Sequence, residues 1–123
     1  MLIARAAAEG QRWMPCSYMD QSSNVPGLIK YRVAEELVIL PPRLQAWVRT
    51  HLVEPRFCKF SVDHDGSFKH FWLVTDHNGE HDSSYRIVFD GEQEVFGLEC
   101  TLESGVEWYM GSYGSFSDAV ENM

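Results

Sequence analysis

The last 37 residues contain no lysine and no arginine. All ten basic side chains lie between Arg5 and Arg86, where ten acids balance them. The formal charge of −8 therefore belongs to Asp90, Glu92, Glu94, Glu99, Glu103, Glu107, Asp118 and Glu121. Bulk charge of this sign argues against direct binding to nucleic acid or to an anionic membrane surface. Long apolar runs are also missing: nothing approaches the roughly 18 residues that span a bilayer. The first residues, Met1-Leu2-Ile3-Ala4-Arg5, are interrupted by charge before an apolar core develops, so no signal peptide is expected. Cysteine is scarce. Cys16, Cys58 and Cys100 form no close pair and no metal spacing, as expected for reduced thiols in a cytoplasmic protein.

Catalytic signatures are equally thin. There is no Gly-x-Ser-x-Gly elbow. The glycine-rich stretch Gly111-Ser112-Tyr113-Gly114-Ser115 lacks the lysine of a phosphate loop. Cys58 and Cys100 fall on expected inward faces, where a thiol behaves as a small hydrophobe. The histidine-rich middle brings His64, His77 and His81 near several acids. Imidazole suits zinc, nickel or copper, which makes a metal-binding module one alternative. The spacing favours polar turn residues instead, since Asn78-Gly79 between His77 and His81 reads as a turn. No cofactor is expected.

What is present is an ordinary globular composition, 45% hydrophobic and 23% charged, with 16 aromatics among 123 residues. One α+β domain over residues 30–123 is the expectation, preceded by an arm over residues 1–29. Residues 2–13 suit a short Ala-rich helix. Residues 14–27, with two prolines and a polar cluster, read as loop. Residues 30–40 read as extended, with Glu35-Glu36 awkward in the middle. After Pro41-Pro42 comes an amphipathic helix over residues 42–53, with Leu44, Trp47, Val48, His51 and Leu52 on one stripe.

Residues 57–112 read as an antiparallel meander of about five to six strands. A two-residue Asp65-Gly66 turn sets Phe60 opposite Phe71 and Cys58 opposite Leu73. A turn over residues 90–93 sets Val88 against Val95, Ile87 against Phe96 and Tyr85 against Leu98. A three-residue turn, Glu103-Ser104-Gly105, pairs Leu102 with Val106, Cys100 with Trp108 and Leu98 with Met110. Gly105 supplies the left-handed third residue that such a loop needs. One face of that hairpin is then wholly apolar and is assigned to the core. The other carries Glu99, Thr101, Glu107 and Tyr109. Ser115 is placed to cap a short C-terminal helix, with Asp118 completing the box.

These placements make the acidic surplus a surface with aromatic anchors. Glu94, Glu99, Glu103, Glu107, Tyr109 and Tyr113 are the candidate partner-binding residues, and a protein with a basic surface is the candidate partner. Solubility alone also accounts for acidic surfaces. An enzymatic or small-molecule-binding domain is the second alternative. Its pocket would lie between sheet and helix near His51 and Trp72.

The segment Glu107-Trp108-Tyr109-Met110-Gly111-Ser112-Tyr113-Gly114-Ser115, continuing through Phe116 to Val120, resembles the ending of small bacterial immunity proteins of polymorphic toxin systems. There a last strand passes through a Gly-x-Tyr-Gly-Ser turn into a short helix. The resemblance implies a non-enzymatic, cytoplasmic protein that neutralises a cognate toxin domain, often a basic nuclease, by binding it. It implies no particular binding residue.

Overall fold

A computed structural model describes residues 20–123, apart from residues 80 and 83. The expectations for residues 2–13 and Cys16 lie outside the described residues. The chain is α+β. Helix α1 (Asp20–Leu37) and helix α2 (Pro42–His51) precede five strands and a short helix. The strands are β1 (Leu52–Ser61), β2 (Phe68–Thr75), β3 (Arg86–Asp90), β4 (Val95–Thr101) and β5 (Glu107–Gly114), and the last element is α3 (Phe116–Glu121).

The first correction concerns α1. Residues 20–27 are helical rather than loop, and residues 30–37 are helical rather than extended. The helix runs unbroken through residues 29 and 30 and contains Pro26. Proline there removes one backbone donor and strains the preceding turn. Burial outweighs that cost. Val25, Leu28, Ile29, Val33 and Leu37 repeat at helical spacing and pack in the larger core. Glu36 is then not awkward, because its carboxylate accepts a hydrogen bond from the Ser117 amide at 2.8 Å, beside the cap of α3. Ser115 caps α3 as expected, accepting from the Asp118 amide at 3.1 Å.

The second correction concerns the sheet, which closes into a barrel in the order β1-β2-β3-β4-β5. Neighbours are antiparallel except at the closure, where β1 and β5 are parallel. Five strands that reverse direction at each step must end with first and last strands pointing the same way. The closure is thin, a single pair of Ser61 with Trp108.

Closure gives the sheet two buried faces. Outside, Val74, Ile87, Phe89, Phe96 and Leu98 are covered by the helices, with Ile29, Val48 and Phe116 among the residues packed on them. Inside, Phe60, Phe71, Leu73 and Val88 meet Tyr109 and Cys58. Strand side chains alternate between faces, so every residue of β3 is buried. In α2, Val48 is fully buried and Leu44 and Trp47 partly so. Leu52 belongs to β1 and is exposed.

Two hairpin registers also differ from expectation. Cys58 pairs with Phe71 and Phe60 with Lys69. The loop is four residues rather than two, closed by the Val62 amide donating to Ser67 O, with left-handed Gly66 as its last residue. Likewise Asp90 pairs with Val95, Ile87 with Leu98 and Val88 with Gly97. Asp90 Oδ1 accepts from the amides of Glu92 and Gln93, which fixes the turn one residue later than expected. Each shift is two residues in register, so the faces of those strands are preserved.

The Gly105 hairpin has its expected turn. Cys100 pairs with Trp108, the Leu102 amide donates to Val106 O, and Gly105 has φ +91°. A bulge between Leu98 and Glu99 then moves Leu98 onto Gly111 rather than Met110.

Candidate functional site

Although the turn is as expected, the faces of the last hairpin are inverted. Glu99 is completely buried, and Arg86 donates to both its oxygens, from Nε at 2.8 Å and Nη2 at 3.0 Å. Nη2 of Arg86 also donates to Glu107 at 2.8 Å, and Nη1 to Asp76 at 3.1 Å. Thr101 donates to Glu99 at 2.7 Å. These carboxylates hold the Arg86 pKa above its ordinary value although burial pulls it down. Tyr109 stacks on Phe71 with ring centres 4.2 Å apart, inside the barrel, and its hydroxyl meets Ser112. Burial raises the Tyr109 pKa. The face carrying Glu99 and Tyr109 is therefore the barrel interior, with Glu107 at its edge, 44% exposed and paired with Arg86, and it is not an open acidic surface.

Two more of the candidates are also separated. Glu94 sits in a left-handed turn and is held by Arg32, which donates to its carbonyl at 2.9 Å and its carboxylate at 3.0 Å. Tyr113 is exposed near the end of β5. Only Glu103 stands on an exposed surface beside other apolar and acidic groups.

That surface is the side expected to be core. Leu102, Val106 and Met110 are 45%, 38% and 48% exposed. They lie on the outer side of the β4–β5 hairpin. Opposite is the β1–β2 loop. Where the two loops meet at the thin β1–β5 closure, Asp63, His64, Gly66, Leu102, Val106 and Trp108 line a groove of about 510 Å³. His64 packs on Trp108 at 4.9 Å between ring centres and forms one wall.

Asp63 lines this groove, and Asp65 and Glu103 lie in the two loops that form it. Asp63, Asp65 and Glu103 are exposed, and none has a cationic partner among the described residues. Asp63 accepts from the His64 amide at 2.7 Å. Asp65 accepts from the Ser67 hydroxyl at 2.6 Å and amide at 2.8 Å, bonds that lower its pKa. Of the other acids of the last third, Asp90, Glu92, Glu94, Glu99 and Glu107 are paired with Lys69, Arg32 or Arg86, while Asp118 and Glu121 are exposed. Asp90, for example, is held by Lys69 at 2.9 Å.

Adjoining the groove, the outer face of β1 and β2 carries a ladder that the sequence reading missed. Phe57 stacks on His70 at 5.0 Å and leans on Trp72 at 5.0 Å, while Lys59 lies over Phe68 at 4.3 Å. Phe57 and Phe68 are more than half exposed. The available signal was the cross-strand pairing of Phe57 with Trp72, Lys59 with His70 and Ser61 with Phe68. It becomes visible only with the four-residue loop.

The histidines have separate surroundings. His77 Nε2 donates to the Ser84 carbonyl at 2.9 Å, and His81 is exposed. Among the described residues no group of three or more His, Cys, Asp or Glu side chains is placed to hold a metal ion. His51 does form an acid pair, with Nε2 2.7 Å from Asp82 Oδ2. Its Nδ1 lies 2.7 Å from the Trp47 carbonyl, and its ring stacks on Trp47 at 4.2 Å. Both ring nitrogens thus face oxygen acceptors of the protein, and the pair fastens α2 to the β2–β3 loop. Trp72 is elsewhere, against Phe57 and Gly91. Among the described residues no helix is long and apolar enough to cross a membrane. Comparison with protein-family models, with curated proteins and with solved structures found no match for the chain.

Proposed function

We propose that this chain is a non-enzymatic binding protein of the immunity type, which captures a basic toxin domain in the groove at its barrel closure. One observation carries the reading: Leu102, Val106 and Trp108 form an open apolar floor with Asp63 in its lining, and the two loops that form it also carry the exposed acids Asp65 and Glu103. Interfaces concentrate their affinity in a few apolar or aromatic anchors, while rim charges steer the encounter. The exposed Phe57–Phe68 ladder extends the same surface towards the roughly 800 Å² per partner that a stable complex needs. Of the residues named from sequence, Glu103 stays in the binding surface. Glu99 and Tyr109 act instead as the internal frame, with Glu107 bound to Arg86 at its edge. Cytoplasmic residence belongs to the same proposal, and Cys58 and Cys100 are free thiols.

The test is to sequence the adjoining reading frame and, where it encodes a small basic toxin domain, to co-express the two. Cells carrying the full chain survive induction of the toxin, and cells carrying the Asp63→Lys/Glu103→Lys variant do not, at equal soluble level. Survival that is indifferent to both substitutions would overturn the groove, and no protection by the unaltered chain would overturn the immunity reading.

A further inference from the structure

The groove at the barrel closure has three unlike walls. On the β1–β2 loop Asp63 and His64 are neighbours in sequence and both line it, so a carboxylate and an aromatic ring stand side by side. The His64 ring is backed by Trp108, with ring centres 4.9 Å apart and planes tilted by 33°. Leu102 and Val106 supply the aliphatic wall.

The carboxylate is held in place and lacks a counter-ion. Asp63 Oδ1 accepts from the His64 amide at 2.7 Å, which fixes the side chain beside the ring. No cation of the described residues pairs with it. The basic side chains of β2 and β1 that flank this loop are engaged elsewhere. Lys59 lies over Phe68 at 4.3 Å, and Lys69 is bound to Asp90 at 2.9 Å. After Arg86 the chain has no further lysine or arginine. The charge that complements Asp63 is thus left to a partner.

The walls also select among side chains. An aliphatic one meets Leu102 and Val106 but gives Asp63 nothing. A lysine reaches the carboxylate, yet its ammonium is a compact, strongly hydrated point charge. Arginine uses all three walls together. Its methylenes cover apolar surface, its guanidinium plane stacks on aromatic rings, and the edge of that plane donates in a fork to a carboxylate.

Taking the groove as the partner site proposed above, we infer that it receives one arginine side chain of the basic partner. The guanidinium lies against the His64–Trp108 wall and is bonded to Asp63, with its methylenes over Leu102 and Val106. Asp65 and Glu103, exposed on the two loops, steer the encounter and do not hold the bound arginine.

Chemical-shift titration of the full chain with N-acetyl-arginine methylamide tests this, with the matching lysine and citrulline compounds alongside. Citrulline keeps the planar shape and loses the charge. The expected result is a saturable shift of the Trp108 indole N–H and the His64 ring signals, with a Kd of about 1–10 mM for the arginine compound. The lysine compound binds about fivefold more weakly, and the citrulline compound gives no saturable shift. Asp63→Asn and His64→Ala, both at exposed positions, each weaken arginine binding by about fivefold with an unchanged circular dichroism spectrum. Glu103→Gln leaves it within about twofold. No saturable shift with arginine, an equal response to lysine or citrulline, or binding that Asp63→Asn and His64→Ala leave unchanged would each overturn the inference. The three compounds contain no toxin. A failure here therefore leaves the co-expression result standing, and absence of protection there leaves the arginine site standing.

Discussion

Arg86 and Glu99 are paired across β3 and β4, and their side chains meet in two hydrogen bonds of 2.8 and 3.0 Å within the barrel. Removing Glu99 takes both bonds from the buried Arg86, which keeps only Asp76 and Glu107, so the loss reaches at most the ~3–5 kcal/mol of a fully broken buried pair. Glu99→Leu is expected to lower stability by that order. Arg86→Met/Glu99→Leu together should cost less than the sum of the two single changes, since neither member is then left buried facing a missing partner, although Asp76 and Glu107 lose their contact with Arg86. Urea titration of the three variants measures it.

The same pair shows how far the sequence could be read. The Gly105 turn, the Cys100–Trp108 register and the Ser115 cap were legible, because each rests on local chemistry. The faces were not. An apolar set of Leu102, Val106 and Met110 opposite Glu99 and Glu107 indicates a one-sided sheet with its acids outward. Closure into a barrel reverses that, because Arg86 supplies an internal counter-ion from a strand 13 residues earlier. No periodicity within a hairpin reveals such a partner. Helix α1 escaped for the opposite reason. Pro26-Gly27 is a strong local loop signal, and the spacing of Val25, Ile29, Val33 and Leu37 outweighs it only once a sheet is there to cover.

Gly97 makes room for the ring that fills the barrel. A β-carbon there would lie 2.5 Å from Gly111 O and 2.6 Å from Tyr109 Oη. The Gly111 carbonyl is backbone and cannot swing away. Gly97→Ala is expected to destabilise by about 1–3 kcal/mol through overpacking. Thermal unfolding reads this directly, and Gly97→Ala/Tyr109→Leu should recover only part of the loss, since the Gly111 clash remains.

Stability should fall in acid for a definable reason. The Asn78 and Ser84 amides hold the Asp82 pKa well below the ordinary aspartate value of 3.8. Burial works to raise that of Asp76, but the His77 amide and Arg86 outweigh it and bring it below the same value. Both groups therefore contribute stability that is present above pH 3.8 and is lost as pH falls through their lower folded values. Lys69 has the opposite sign. Its hydrogen bond to Asp90 raises its pKa above 10.5, so its contribution is present below 10.5 and is lost above it, in alkali. The expected profile falls below about pH 4, and Asp82→Asn flattens that acid limb. Chemical denaturation at a series of pH values checks it.

The groove's geometry depends on its turn as much as on its charges. Gly105 at φ +91° closes the loop that sets Leu102 beside Val106. Gly105→Ala places a side chain in a left-handed conformation at a cost of about 1–2 kcal/mol. It should also weaken partner binding although no charge changes, whereas Ser104→Ala should do neither. Titration calorimetry and unfolding on the same samples separate the two effects.

The most direct test of the binding proposal is calorimetric titration of the full chain with the proposed partner, a small basic toxin domain sought in the adjoining reading frame, at two salt concentrations. The account predicts saturable binding that weakens with salt, at least tenfold loss for Asp63→Lys/Glu103→Lys, and a comparable loss for Leu102→Ser/Val106→Ser. Binding that is absent, or that is unchanged in both double variants, would contradict it.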